Sequence, residues 1–494
     1  MLNDRGKYDF LKDPEWMLFF LLLALSYLPL FAHLDSLPMH IWDEARVGGS
    51  ALEMLENGKW LVTYFDGKID TWSVKPPLLI WIQVVFLKIF GVSELALRLP
   101  SALAGLFTCL AVYVFSWRVL KSPLTGFVAA LVLLTTQGYV AQHVTRTGDY
   151  DALLTMWTFL YAVLFFTAME AKVERTKRTG LLLTGLLVGA AVLTKGVAGL
   201  FFLPPMLMYA LFAKSGRRLL ANRYTWLGIG LGVVIIAAYY LSREWVTPGY
   251  LELVWKEELG GRFLERKNKH HLHSYWFYFH LLQKQSFLPW LYFLPLGLFP
   301  LFAKRNQVAR LLLYALLIVL FLFFLLSASQ TKIRWYIAPA YPFLALIAGA
   351  GIAWLIRSFA HVFPRFKVWI VVSLAIGVFL FPYRDAVRRS LDPRNENPQN
   401  QYAHFIRQFL PMDGYYLADL HYNGHMYFYE KFFHIKGYDL EIRLLNAFEE
   451  KDSVMLCGQP SLKYLKKHYE FEELARFEDH CWLVKIEAGK EELK

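Results

Sequence analysis

The sequence predicts a polytopic α-helical membrane protein of about eleven transmembrane helices that ends in a small α/β domain, and three observations carry this. Of 494 residues, 56% are hydrophobic and only 19% charged, against about 45–50% and about 25% in soluble domains. The apolar surplus is gathered into eleven nearly uncharged blocks, each long enough, or nearly so, to cross a hydrocarbon core about 30 Å thick. From residue 383 the composition changes, with 16 Lys/Arg and 19 Asp/Glu in 383–494. These features exclude a soluble enzyme, a disordered chain and a disulfide scaffold. A β-barrel is excluded as well, because alternating apolar and polar segments are absent. The net charge of +12 collects in short loops between the blocks, which is a topology signal and not a nucleic-acid footprint.

The blocks fall at 16–34, 99–117, 123–141, 152–169, 180–194, 196–213, 225–242, 287–303, 311–328, 335–356 and 367–382. The first has no small-residue cleavage site behind it and reads as a permanent anchor. The apolar stretch 77–90 has 14 residues, a length more typical of an interfacial or buried helix than of a span. Leaving it out of the spans puts every short basic loop on one side, among them Arg118 and Lys121, Lys172 to Arg178, Lys214 to Arg223 and Lys304 to Arg310. By the positive-inside rule that side is cytoplasmic. The N-terminus is then inside and the C-terminal domain outside. The outer face carries loop one (35–98), loop two (142–151), a large loop (243–286) and a short one (329–334). The domain organisation is a membrane domain over 1–382 and an outer α/β domain over 383–494, where short apolar runs alternate with helix-like stretches.

Chemistry-bearing residues gather on the outer side. Loop one opens with His40-Ile41-Trp42-Asp43-Glu44-Ala45-Arg46. Ionisable residues this close to a bilayer are costly unless they pair or line a wet cavity. Asp43 or Glu44 equally suits the cap of a surface helix, with Arg46 as its solvated partner. Later in the loop, Lys75 stands immediately before Pro76-Pro77. The prolines fix the backbone there, which suits either a helix start with a snorkelling lysine or a rigidly placed ammonium for a phosphate.

Taken together, Trp42-Asp43-Glu44-Ala45-Arg46, Lys75-Pro76-Pro77-Leu78, Gly91 through Ser101, Leu193-Thr194-Lys195-Gly196 and Lys332-Ile333-Arg334-Trp335-Tyr336-Ile337-Ala338-Pro339 resemble the GT-C superfamily of lipid-phosphate-sugar-dependent glycosyltransferases. The nearest likeness is to the bacterial aminoarabinose lipid A transferases and the dolichyl-phosphate-mannose protein mannosyltransferases. The resemblance implies an active-site carboxylate at Asp43 of the Asp43-Glu44 pair. It implies polyprenyl-phosphate ligands at Arg46, Lys75 and Tyr336, with Lys332 or Arg334 nearby. A second acidic site follows at Asp151 or Asp149, between which spacing does not choose; Asp151 also suits a helix cap. For Lys195, a snorkelling cation and a phosphate contact both fit.

In the large loop, Glu265, His270 and His271 are a candidate site for a divalent metal (Mg, Mn or Zn), but their spacing is irregular. A basic loop facing anionic headgroups, or ordering over an anionic substrate, fits as well. No cofactor is otherwise expected. Cys457 and Cys481 lie in predicted strands, where two buried thiols are preferred slightly to a disulfide. The expected function is inverting transfer of a sugar from a polyprenyl (undecaprenyl) phosphate, at the outer face of a bacterial inner membrane. The expected acceptor is lipid A or another anionic envelope lipid or glycan. Mannosyl-type transfer to protein is one alternative. A lipid or solute transporter is another, although it predicts charges within the spans and internal repeats.

Overall fold

The computed structural model describes residues 13–36, 38–40, 43–71, 73–260, 273–302, 306–391, 414–419, 424–477 and 480–490. Among them, eight helices are long and apolar enough to cross a membrane: α1 (Pro14–Phe31), α4 (Glu94–Arg118), α6 (Tyr150–Glu170), α7 (Glu174–Lys195, continued to Leu200), α10 (Arg223–Val246), α14 (Gln307–Ala328), α15 (Tyr341–Val362) and α16 (Lys367–Leu391). A ninth span arises if Phe277–Ser286 and Trp290–Phe302, bent by 108° at their junction, are one crossing.

Two expected spans are shorter than their apolar blocks. The block at 123–141 forms α5 (Pro123–Leu134). It stops where Thr135 and Thr136 turn their hydroxyls back onto the carbonyls of Leu131 and Val132, a local bond that competes with the helix ladder. The block at 196–213 is a 3₁₀ turn (Gly196–Leu200) followed by α8 (Leu203–Phe212), interrupted before the Pro204-Pro205 pair that opens α8. Residue 382 lies inside α16, which runs on to Leu391.

The helices start where their sequences cap them. The Ser93 hydroxyl accepts from the Ala96 amide at the head of α4, and Asn306 does the same for Ala309 at the head of α14; each satisfies one orphan donor of the first turn. Helices α7 and α10 touch backbone to backbone: a Cβ on Gly185 would lie 1.8 Å from the Gly228 carbonyl oxygen. Aromatic and aliphatic side chains of α4, α5, α6, α14 and α15 form one continuous core. By contrast α10 and α16 leave Trp226, Val233, Val234, Trp369 and Ile376 exposed, as lipid-facing helices do.

Loop one folds into α2 (Asp43–Asn57), a two-stranded hairpin of β1 (Tyr64–Phe65) and β2 (Lys68–Ile69), and α3 (Leu78–Phe90). The latter helix packs on α2 and α4 through Leu79, Ile80, Val84 and Leu87. The C-terminal domain is a five-stranded sheet with strands β3 (Tyr415–Asp419), β4 (Leu440–Leu444), β5 (Ser453–Cys457), β6 (Tyr469–Phe477) and β7 (Cys481–Gly489), in the order β4-β3-β5-β7-β6. The first three are mutually parallel; β7 runs antiparallel to β5 and β6.

Cys457 and Cys481 stand directly opposite on β5 and β7 and form a disulfide. This corrects the preference for two thiols: strand register set their separation, and register was not readable from spacing.

The helix of this domain that matters for the site lies at Gly424–Ile435 and packs on α2. Its Tyr429 hydroxyl donates to Glu94 and accepts from the Met39 amide. The sheet domain is thereby fastened to the segment that leads into Asp43.

Candidate active site

A buried ion pair organises loop one. Glu44 and Arg98 are both almost fully buried and meet in a two-pronged contact, Nε to Oε1 at 2.6 Å and Nη2 to Oε2 at 2.9 Å. Glu44 also accepts from the backbone amides of His40 and Gly148. Arg98 also donates to the carbonyls of Leu34 and Pro38. Gln83 of α3 donates to the carbonyls of Leu97 and Gly148. One knot thus ties α2, α3, α4 and loop two, and it sets Asp43 at the first position of α2, Lys75 just ahead of α3 and Asp149 beside α6.

A narrow cleft with a cavity volume of about 60 Å³ is lined by Lys75, Asp151, Lys195, Glu258, Tyr336 and the apolar Leu154, Phe201 and Leu326, among others. Lys195 ends α7 and reaches across to Asp151 at the head of α6, with Nζ 2.6 and 2.7 Å from its two oxygens. The same ammonium lies over the Tyr336 ring, 4.9 Å from its centre. Lys75 lies 5.0 Å over the ring of Tyr150. Two ammonium groups from distant parts of the chain therefore share one largely apolar wall, where each acts more strongly on an anion than it would in water.

A second, larger cleft, open to solvent and with a cavity volume of about 920 Å³, has His40, His143, Arg146, Arg334, Arg388 and Arg389 in its lining. Here His143 stacks on Trp335, ring centres 3.7 Å apart, and its Nδ1 is 3.3 Å from Asp149 Oδ2. Thr147 donates a hydrogen bond to Asp149 at 2.6 Å. Burial opposes charge on His143, but the Asp149 carboxylate outweighs it, with smaller help from Asp43 and Asp151, and the imidazole titrates above its ordinary value. Burial likewise opposes charge on Asp149, yet His143 and Thr147 hold it below the usual carboxylate range. His40 lies edge-on to His143; burial, and then the neighbouring imidazolium, push it below its ordinary value.

These shifts give a pH prediction. The raised His143 contributes stability that is complete below the unfolded imidazole value, about 6.5, and is lost as pH rises through the folded value. The depressed Asp149 contributes stability that is present above about 3.9 and is lost as pH falls through its folded value. The loss of melting temperature in His143→Asn, measured in detergent, is expected to be largest between about pH 4 and 6.5 and to shrink at higher pH. A loss independent of pH would show that the pair is not ionised.

The residues singled out by sequence separate accordingly. Lys75, Asp151, Lys195 and Tyr336 come together in the first cleft. Asp43 is half-buried at the start of α2 and close enough to His143 to act on its titration. Glu44 has both oxygens engaged in the knot. Arg46 bonds Asp70 at 2.7 Å and lies over the Phe65 ring; it is not among the residues lining either cleft. Lys332 is buried with its ammonium on the Ser329 carbonyl, whereas Arg334 is exposed in the second cleft. Asp149 belongs to the His143 pair. Glu265, His270 and His271, with the rest of the basic run there, lie outside the described residues. Among the described residues no group of three His, Cys, Asp or Glu side chains is placed to hold a metal ion.

Two members of the clefts carried no earlier signal. Glu258 sits in Trp255-Lys256-Glu257-Glu258, which looks like a solvated charged stretch. His143 stood in the same short run as Asp149, but only the fold turns its ring onto that carboxylate.

Residues 74–241 match the family described as dolichyl-phosphate-mannose-protein mannosyltransferase. An uncharacterized protein of Aquifex aeolicus is 31% identical over 62% of this chain and 58% of its own length. The undecaprenyl phosphate-alpha-4-amino-4-deoxy-L-arabinose arabinosyl transferase of Pseudomonas aeruginosa is 28% identical over 70% of this chain and 61% of its own. The chain thus spans about three fifths of the length of these relatives. Among solved structures, ArnT from Cupriavidus metallidurans bound to undecaprenyl phosphate shares the fold with a TM-score of 0.71, covering 95% of this chain and 97% of that one at 16% identity. The Archaeoglobus fulgidus oligosaccharyltransferase shares it more loosely, with a TM-score of 0.53, 12% identity and coverage of 94% and 72%. Sequence match and shared fold agree with the resemblance carried by the motifs: the chain is a multi-pass membrane protein that shares the fold of ArnT and is similar in sequence to the aminoarabinose transferases.

Proposed function

We propose that the protein is an integral-membrane inverting glycosyltransferase. It takes a sugar from a polyprenyl phosphate, undecaprenyl phosphate in a bacterium, and passes it to lipid A or another cell-envelope glycan. The observation that carries this is the convergence of Lys75, Lys195 and Tyr336 in one cleft with largely apolar walls. Such a cleft suits an anionic head on an isoprenoid chain. The names of the curated relatives, and the lipid bound in the solved ArnT structure, support the same donor.

Breaking the sugar–phosphate bond leaves charge on the phosphate. Preorganised cations aimed at developing charge are the largest expected catalytic contribution. Lys75 and Lys195 supply them, and the Tyr336 hydroxyl adds a donor. Asp151 holds Lys195 extended until a phosphate competes for it. The acceptor enters through the second cleft, where Arg146, Arg334, Arg388 and Arg389 favour an anion. If the attacking group is a hydroxyl, Asp43 takes its proton. If it is an ionised phosphate, no base is needed, and Asp43 positions the acceptor or the sugar instead. One displacement inverts the anomeric centre. The loop charges support a cytoplasmic N-terminus and a site on the outer face of the inner membrane.

The test is transfer of labelled sugar from undecaprenyl phosphate to lipid A by the protein in detergent. Transfer with inversion is expected. Uptake or flipping of lipid in sealed vesicles, with no transfer in detergent, would make the protein a transporter.

A further inference from the structure

The peptide group that leads into Lys75 is held by a residue of the large loop. Pro76 and Pro77 follow Lys75 and have no N–H to donate. Beyond them α3 begins, with the Trp81 amide donating to the Pro77 carbonyl at 2.8 Å. On the other side of Lys75, the Tyr250 hydroxyl donates to the Val74 carbonyl at 2.7 Å. That carbonyl oxygen and the Lys75 nitrogen belong to one planar peptide group. Fixing the oxygen therefore fixes the plane at whose far corner the Lys75 Cα stands. Val74 itself is buried in a small cluster with Tyr239 and Tyr250.

Tyr250 is in turn built into place. Thr247, as the residue before Pro248, leaves the helical region and ends α10, with φ −136° and ψ 84°. Gly249, at φ +91°, adopts a left-handed backbone that suits glycine and turns the chain back. Glu244 closes the turn, its two carboxylate oxygens accepting from the amides of Gly249 at 2.8 Å and Leu251 at 2.7 Å. The Tyr250 ring then lies against Tyr239 and Tyr240, with the Arg243 guanidinium 4.7 Å from its centre. At 4% exposure its hydroxyl needs a partner, and the Val74 carbonyl is that partner. A lysine has a long flexible stem, so where its ammonium can wait depends on where its Cα is anchored. A catalytic group displaced by about 1 Å can cost about 10²-fold in rate.

We propose that Tyr250 is a positioning residue for Lys75: by pinning the Val74–Lys75 peptide plane it keeps the ammonium aimed at the donor's phosphate, and so makes the start of the large loop part of the donor site. This rests on the polyprenyl-phosphate donor proposed above. The wild type, Tyr250→Phe, Lys75→Ala and the double variant are compared as full-length proteins in detergent. Two quantities are measured: kcat/KM in the transfer assay above, and the affinities for undecaprenyl phosphate and for undecaprenol, by tryptophan fluorescence. Tyr250→Phe is expected to lower kcat/KM about tenfold or more and to weaken undecaprenyl phosphate while leaving the uncharged undecaprenol unchanged. In the Lys75→Ala background the same substitution is expected to change either quantity less than about twofold, since two residues acting through one contact are not additive. Glu244→Ala frees the two amides that set the turn at an exposed site and goes through the same cycle; its loss is expected to be smaller and also to vanish without Lys75. If Tyr250→Phe does not fold, the Glu244→Ala cycle decides by the same criteria. A loss of equal size with and without Lys75, an equal loss of undecaprenol binding, or no loss at all overturns the assignment. No transfer by the wild type instead overturns the glycosyltransferase function, whereas a failed cycle in an active protein overturns only the role of Tyr250.

Discussion

Replacing Arg98 by methionine is expected to lower stability by about 3–5 kcal/mol, the cost of stranding one member of a buried ion pair. The substitution keeps most of the volume but leaves the Glu44 carboxylate charged, nearly unexposed and without its counterion. The carbonyls of Leu34 and Pro38 lose their donors in the same change. Neighbouring groups in one network are not additive, so the double variant Glu44→Gln with Arg98→Met is expected to recover part of the loss. Denaturation in detergent, followed by tryptophan fluorescence, measures both. Because the knot seats Asp43, Lys75 and loop two, activity falls with stability in Arg98→Met. A single variant as stable as the wild type would mean that the pair does not hold loop one together.

Lys75→Ala is expected to behave in the opposite way: kcat/KM for the lipid-linked donor falls about 10²–10³-fold, as for removal of one preorganised electrostatic donor, while the melting temperature hardly moves. Lys75 is half-buried and rests on an aromatic ring, and Asp151 keeps its Lys195 partner when Lys75 goes. Lys195→Ala is the informative contrast. It removes a cation from the same cleft but also leaves Asp151 buried without its ion-pair partner, so stability and activity both drop. Steady-state kinetics with melting curves on the two variants separate the roles. Turnover close to wild type in Lys75→Ala would remove it as the phosphate ligand.

Much of this protein was legible before any fold was known. Apolar runs long enough to cross a bilayer are a property of contiguous residues, as is the composition change that announces the sheet domain. The lysine before Pro76-Pro77 and the one in Leu193-Thr194-Lys195-Gly196 were equally visible. Helix ends were less so: Thr135 and Thr136 look apolar enough to continue α5, and their back-bonds to the previous turn appear only in the folded chain.

What the sequence by itself determined is the membrane class, most of the long apolar segments and a list of charged side chains near the ends of the spans. Only the tertiary structure decided which of those charges are available. Arg46 and Glu44 sit two residues apart, yet Asp70 holds the first and Arg98 the second. Lys75 and Lys195, far apart along the chain, share a wall. The physical reason is that hydropathy is summed over neighbours in the chain, whereas the role of a buried charge is set by whichever opposite charge lies within a few ångströms, and that neighbour comes from anywhere in the fold.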